Sequence, residues 1–494
     1  MRDRSRAIDT TDIAISRSMF LRGALGIAVA GWASASELPA HADPSPSSAE
    51  LAAAADWDEL QNHIEGRVVR ADDADYGMAK QIFNTRFDDE TPTAVVQVAN
   101  VDDVAAAVTF AAQNKLRLAA RSGGHSYAGV SSATGVMIID LRGLTGVDYH
   151  DGSAVVAPAL TLSEVYRELD QYGQTIPAGM CPSVGVGGLA LGGGLGFESR
   201  RYGMTCDRIS AATLVLPDGT VTEVSATSRP DLFWALRGGG HFLGVVTSFT
   251  FNTCEATAKD VVALTFPGEL AAQAIAGWAE WVRGADHEQW ADISVDADGH
   301  GGLRCWVQLV CPAGAGALAG AALAGTMKML PLTVDARTLS HMDAVTYLAG
   351  GSDTEPRASF NNGSDIVKEL SSDVIAVIIE AITMFSRDGN TGWVQINTLD
   401  GAIRDTTTAD AAFPWRNHAA MVEWGCYEPT PTDIARAWVL EAHQLIKSAT
   451  SGAYVNYLEP GDPVDRYFGD NFDRLDTIRT QLDPNNRIYT ALVN

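Results

Sequence analysis

At 494 residues and 46% hydrophobic content, the chain is long enough for two cores, or for one core with a large insertion. A formal net charge of −26 argues against nucleic acid and anionic membrane surfaces as partners, because both repel an acidic protein. Six cysteines leave room for three disulfides in an oxidising compartment but are too few for a disulfide scaffold. No Cys-x-x-Cys pair or Cys/His cluster points to a metal.

Residues 1–42 read as an export signal. Ser16-Arg17-Ser18-Met19-Phe20-Leu21-Arg22 precedes the apolar run 23–35, and Ala40-His41-Ala42 offers a signal-peptidase site. The run is too short to span a membrane as a helix. It resembles a twin-arginine signal except at Ser18, so a general secretion signal is the alternative. After a Pro/Ser/Ala-rich linker, residues 92–98 read as a strand and 101–114 as a helix with Asp102 and Asp103 in its first turn. A second strand, 116–120, runs directly into Arg121-Ser122-Gly123-Gly124-His125-Ser126. Residues 136–141 form another strand, and 162–172 a helix capped by Thr161. Pro217-Asp218-Gly219 joins 213–216 to 220–224 as a hairpin. A short helix, 231–236, ends at Gly238-Gly239-Gly240.

From about residue 260 the pattern changes to alternating segments at 291–297, 302–310, 392–399 and 418–426. These read as antiparallel strands with one covered face, with helices at 270–282 and 366–385 between them. Eight of the eleven tryptophans fall between 261 and 440. The expected division is a first domain over 43–260, a second, substrate-side domain over 261–440, and a C-terminal segment, 441–494, that rejoins the first domain.

Two segments carry the chemistry. Arg121 to Gly129 places consecutive glycines and flanking serines directly after a strand, a concave run of backbone N–H groups suited to a pyrophosphate. It lacks the Gly-Lys-Ser/Thr of a Walker loop and the helix of a Rossmann fingerprint. Pro177 to Gly196 is so rich in glycine that regular structure is not expected there, and a flat ligand lying against bare backbone is.

Together with Tyr454-Val455-Asn456-Tyr457, the run Tyr467 to Leu475 and Asp483-Pro484-Asn485-Asn486, these segments resemble the berberine-bridge-enzyme-like FAD-linked oxidases. That family lies within the superfamily of vanillyl-alcohol oxidase and p-cresol methylhydroxylase. The resemblance covers about 88–257 and 452–490. It implies an α+β fold: a two-part p-cresol-methylhydroxylase-type (PCMH-type) FAD-binding domain plus a substrate domain of antiparallel sheet backed by helices. It implies FAD held by Arg121, Ser122, Gly123, Gly124, Ser126 and Gly129, by Gly179, Val184, Gly185, Gly187, Gly188, Gly192 and Gly196, and by Asp207, Gly244, Val246 and Asn456. His125 matches the histidine bonded to the 8α methyl of the flavin. Cys181 stands where bicovalent members bond ring carbon 6; two such links raise the flavin's potential. Val184 matches the small residue that leaves room for O2.

Tyr457 matches the catalytic base of sugar- and alcohol-oxidising members, a role that requires something to lower a phenol pKa of about 10. Gln395, Asn397 and Glu423 are the substrate-face candidates. One departure is His241-Phe242-Leu243-Gly244, where the family usually shows Asn-Phe-Gly. The expected reaction is hydride transfer from a C–H next to O or N of a small organic substrate, with O2 reduced to peroxide. A dehydrogenase using another acceptor, and a flavoprotein that sequesters an aromatic drug-like compound, are the rival readings.

Overall fold

The computed structural model describes residues 47–240 and 242–491, so the segment 1–42 expected to be an export signal and His241 lie outside the described residues. The fold is α+β, with sheets of four, five and two strands and one large sheet of eight among the described residues. In the first sheet, Arg67–Arg70, Ala94–Gln97, Met137–Asp140 and Leu118–Arg121 are neighbours in that order. The first pair is antiparallel and the rest parallel. Helix Val101–Gln113 packs beside it, capped by the Asn100 side chain on Asp103 N–H, with Asp102 and Asp103 opposing the positive end of the helix. The second sheet orders Val147–His150, Ser153–Val156, Val245–Asn252, Ile209–Val215 and Val221–Ser225, all antiparallel. Its hairpin turns at Gly219, whose φ of 88° suits glycine, and the Asp218 carboxylate accepts from Thr220 N–H. Helix Leu162–Asp170 opens with a full capping box between Thr161 and Glu164.

The large sheet has eight antiparallel strands. From edge to edge they are Thr333–Leu339, Lys259–Pro267, Leu303–Pro312, Trp290–Asp298, Thr391–Thr398, Ala420–Tyr427, Phe360–Val367 and Thr450–Gly452. Side chains alternate strictly. Ile293, Val295, Val307, Val394, Ile396, Val422 and Trp424 are buried on one face in a core completed by helices Ala271–Gly284, Gly316–Met327, Ser372–Arg387 and Thr432–Ile446. Each such side chain contributes about 1.5–3 kcal/mol on burial. The opposite face is polar and aromatic and turns toward a cavity.

Two expectations are corrected. The predicted helix 366–385 begins only at Ser372, because Ile366 and Val367 finish a strand and Ser371 supplies the cap. Within the glycine-rich run, Val186–Leu191 is helical despite Gly187 and Gly188. Tertiary anchors replace propensity there: Val186 N–H donates to Leu160 O and Gly187 N–H to Pro158 O, both at 2.9 Å. All six cysteines are free, and five of them are buried. Among the described residues no helix is long and apolar enough to cross a membrane, and no group of three or more His, Cys, Asp or Glu side chains is placed to hold a metal ion.

Candidate functional site

A cavity of about 760 Å³ is lined at one end by the glycine-rich segments and at the other by the polar face of the large sheet. Its size lies within the range of roughly 300–1,000 Å³ typical of cofactor and ligand sites.

The glycine end is built by backbone approach. A Cβ on Gly123 would sit 2.3 Å from Gly185 N, and one on Gly185 would sit 2.0 Å from Ser122 Oγ, so the two segments interlock only as glycines. Gly188 has nothing within 4 Å of its Cβ position and presents bare backbone to the cavity. Ser122, Gly124, Ser126, Gly179, Val184, Gly187, Gly196, Gly244 and Val246 also line this end. Ser131 Oγ, on the same wall, is a buried hydroxyl without a partner. An exposed backbone cradle with an orphaned hydroxyl fits a long cofactor carrying a pyrophosphate.

His125 and Cys181 both reach the cavity. The His125 ring stacks on Phe83 at 4.0 Å, and its Nε2 meets Ser183 Oγ at 3.0 Å. Burial pulls its pKa down to about 4, so the imidazole is neutral. Cys181 opens onto the cavity although it lies deep in the protein. Burial, and then the carboxylates of Glu355 and Glu423, push its thiol up to about 12.

Four predicted cofactor residues do not line the cavity. Arg121 is buried in an ion pair with Asp140 (2.7 Å) and donates to Ala79 O. Asp207 is held by a two-pronged pair with Arg416 at 2.7 Å on each prong. Gly129, at φ 68°, starts a short 3₁₀ turn against the Phe87 ring. Gly192 packs against the Asn456 side chain. They brace the wall from behind. Asn456 itself lines the cavity and staples the C-terminal segment down, donating to Leu189 O (3.0 Å) and to Tyr454 Oη (2.8 Å).

Tyr454 and Tyr457 meet across a tight turn rather than along a strand. Val455–Tyr457 is a 3₁₀ turn, and the two rings meet edge to face at 5.1 Å, both on the cavity. The turn forms because Tyr457 N–H donates to Tyr454 O while Gly194 N–H and Asn456 hold the Tyr454 hydroxyl.

At the sheet end, Gln395, Asn397 and Glu423 lie on the polar face as expected. Glu423 occupies the seam between the two ends. Tyr127 Oη donates to its Oε1 at 3.2 Å and Asn362 Nδ2 at 2.7 Å, and Tyr457, stacked on Tyr127, lines the same wall. Burial raises the Glu423 pKa to about 7, and these hydrogen bonds only partly oppose the rise. Tyr457 stacks on Tyr127 at 4.9 Å and 2° between planes. Burial, followed by the Glu423 charge, holds its phenol well above the usual value, the reverse of what a free phenolate base requires. Gln395 donates to the buried carboxylate of Asp292, which burial raises to about 7.

Several site residues escape a reading of the sequence. Tyr127 stands two places after His125 within a recognised segment, but only the fold brings it to Glu423. Trp393 alternates with Gln395 and Asn397, a signal that was available. A Cβ on Gly425 would lie 2.2 Å from the Trp393 indole, so the ring rests flat over that glycine and stacks on Tyr427 at 4.8 Å. Trp306 Nε1 donates to Asp296 at 2.9 Å on the same face. Asn362 sits in a strand that periodicity missed.

Residues 92–225 match the FAD binding domain family, and residues 453–489 match the berberine and berberine-like family. A carbohydrate oxidase of Microdochium nivale is 27% identical over 84% of this chain and 90% of its own length. A chitooligosaccharide oxidase of Gibberella zeae is 28% identical over 80% of this chain and 85% of its own. The solved xylooligosaccharide oxidase of Myceliophthora thermophila, in complex with xylobiose, superposes with a TM-score of 0.79 at 26% identity, covering 88% of this chain and 98% of that one.

Proposed function

Because the chain belongs to the berberine-bridge-enzyme-like FAD-linked oxidoreductases, we propose that it is an exported oxidase of neutral carbohydrates with His125 and Cys181 as its flavin attachment points. Bound FAD supplies the two-electron acceptor for hydride from a substrate C–H. Residues 43–260 with the C-terminal segment make the cofactor-binding part in this reading, and 261–440 the substrate part. Ser183 engages His125 Nε2, which leaves Nδ1 for the flavin bond.

The observation that carries the reading is the buried Glu423 carboxylate, held by Tyr127 and Asn362, sharing with Tyr457 the cavity wall where the glycine-lined and sheet-lined ends meet. A carboxylate with a pKa of about 7 is matched to general-base work at neutral pH, and a buried phenol is not. Tyr457 therefore takes the substrate hydroxyl proton while passing its own to Glu423, so no phenolate needs to accumulate. Tyr127 and Asn362 hold the carboxylate in place.

Two features support a sugar. Trp393, flat over Gly425, offers a face for the C–H side of a pyranose ring, and the Gln395 and Asn397 amides offer hydrogen bonds beside it. Among the described residues no lysine or arginine lines the cavity, so nothing in that wall favours a sugar acid. Val184 on the wall supports O2 as the reoxidant.

The test is a panel of neutral oligosaccharides, sugar acids, amines and aromatic alcohols, followed anaerobically by flavin bleaching and then by peroxide on admitting air. Neutral sugars bleach the flavin and give peroxide. Bleaching by amines or aromatic alcohols alone overturns the carbohydrate reading, bleaching without peroxide makes the protein a dehydrogenase, and tight binding without bleaching makes it a sequestering flavoprotein. For the tether, acid precipitation should keep yellow colour in the pellet, and Cys181→Ala should shift the flavin spectrum while His125 still holds the colour. Colour lost to the supernatant from the unaltered protein contradicts it.

A further inference from the structure

The large sheet ends at Thr333–Leu339, which pairs with Lys259–Pro267 on one side and with no described strand on the other. Six of its seven residues are exposed and the seventh half-buried, so both faces and the outer backbone edge are open. Val334 is 57% exposed, and Leu330 and Leu332 just before the strand are 85% and 67% exposed. An open edge with apolar flanks is a template for another strand, and natural proteins cover or blunt such edges.

The edge sequence is Thr-Val-Asp-Ala-Arg-Thr-Leu. Asp335 and Arg337 project on one face, where they pair with each other at 2.9 Å; Tyr347 donates to Asp335, and Arg337 lies over its ring. Two copies joined antiparallel along this edge are related by a twofold axis perpendicular to the sheet. That symmetry lets a residue oppose only residues of its own face, which permits registers centred on a residue and no others. Centring on Asp335 sets two carboxylates against each other, and centring on Arg337 does the same with two guanidinium groups. Centring on Ala336 sets Asp335 of each copy against Arg337 of the other, Val334 against Thr338 and Thr333 against Leu339. Like charges penalise the two neighbouring registers, while opposite charges and β-branched contacts favour the central one.

We propose that Thr333–Leu339 is a self-association edge at which a second copy of this chain pairs in the register centred on Ala336, making one sixteen-stranded sheet across the dimer. The charges that would blunt this edge against other strands select for its own copy, because the strand is charge-complementary to itself under the twofold.

The experiment is sedimentation velocity on the full-length holoprotein from low to high micromolar concentration, with hydrogen exchange on the same samples. The mass should rise from that of one holoprotein chain toward twice that value, and amides 333–339 should slow as the dimer forms. Asp335→Arg alone, or Arg337→Asp alone, should weaken association roughly tenfold. The double swap, Asp335→Arg with Arg337→Asp, keeps both the intrachain and interchain pairings and should restore it, with circular dichroism checking that each variant is folded. A monomer throughout, single reversals without effect, or a folded double swap that fails to associate overturns the proposal. Protection of 333–339 in samples that sediment as monomer overturns it as well, since that result puts a segment of the same chain on the edge.

Discussion

The two ends of the cavity are built on opposite principles. At the glycine end the wall is backbone, and close approach excludes any side chain: Gly123 against Gly185, Gly187 against Pro158, Gly196 against Ala178. At the sheet end the wall is side chains on a rigid frame, where Trp393, Gln395, Asn397 and Glu423 project from strands whose other face is core. A backbone wall cannot vary without losing its shape, whereas projecting side chains change while the strands beneath them stay. Commitment to one cofactor and freedom in substrate follow from that contrast.

Substitution separates the two ends most sharply. Gly123→Val drives a branched side chain into Gly185 backbone and should abolish flavin retention, read as the ratio of bound flavin to protein after gel filtration. At the seam, Tyr457→Phe should cost about 10²–10⁴ in the rate of flavin bleaching while leaving flavin content intact, because it removes the proton path and not the cradle. On the sheet, Gly425→Val should lift the Trp393 indole off its seat and raise KM for a neutral oligosaccharide roughly tenfold with kcat less affected. A Gly425→Val enzyme that loses flavin instead would erase the distinction between the ends.

The smallest effect concerns how the C-terminal segment is held. His443 bridges Asp365 (2.6 Å) and Glu459 (2.9 Å), with Arg466 joining the same cluster, so strand Phe360–Val367 is tied to the segment that carries Tyr457. Burial alone would lower the His443 pKa, but the two carboxylates outweigh it and lift it to about 9, above an unfolded value of about 6.5. The stabilisation is complete below pH 6.5 or so and is lost as the pH rises through about 9. Tm should therefore fall across that window in the parent protein and fall less in His443→Gln.

The same contrast explains what could be read in advance. Glycine patterns encode backbone geometry locally, so the cradle, His125 and Cys181 were legible from two short segments. The sheet strands were legible from alternation, which put Gln395, Asn397 and Glu423 on one face. Tyr127 and Asn362 were not, because their meeting with Glu423 joins positions 296 and 61 residues apart in the chain. Tyr457 was identified but its chemistry was not: a phenol's pKa depends on burial and on a neighbouring carboxylate, neither of which spacing reveals. Arg121 and Asp207 failed as cavity residues because buried partners, Asp140 and Arg416, claim their charges.

The pH dependence of anaerobic flavin bleaching by a neutral oligosaccharide, compared between the parent enzyme and Glu423→Gln, tests the central claim. Glu423 accepts a proton only when ionised, so the parent rate should climb through a pKa near 7 and level off above it. Glu423→Gln should bleach about 10²–10⁴ times more slowly, without that rise. A Glu423→Gln enzyme that keeps the parent rate and the parent profile would contradict the assignment.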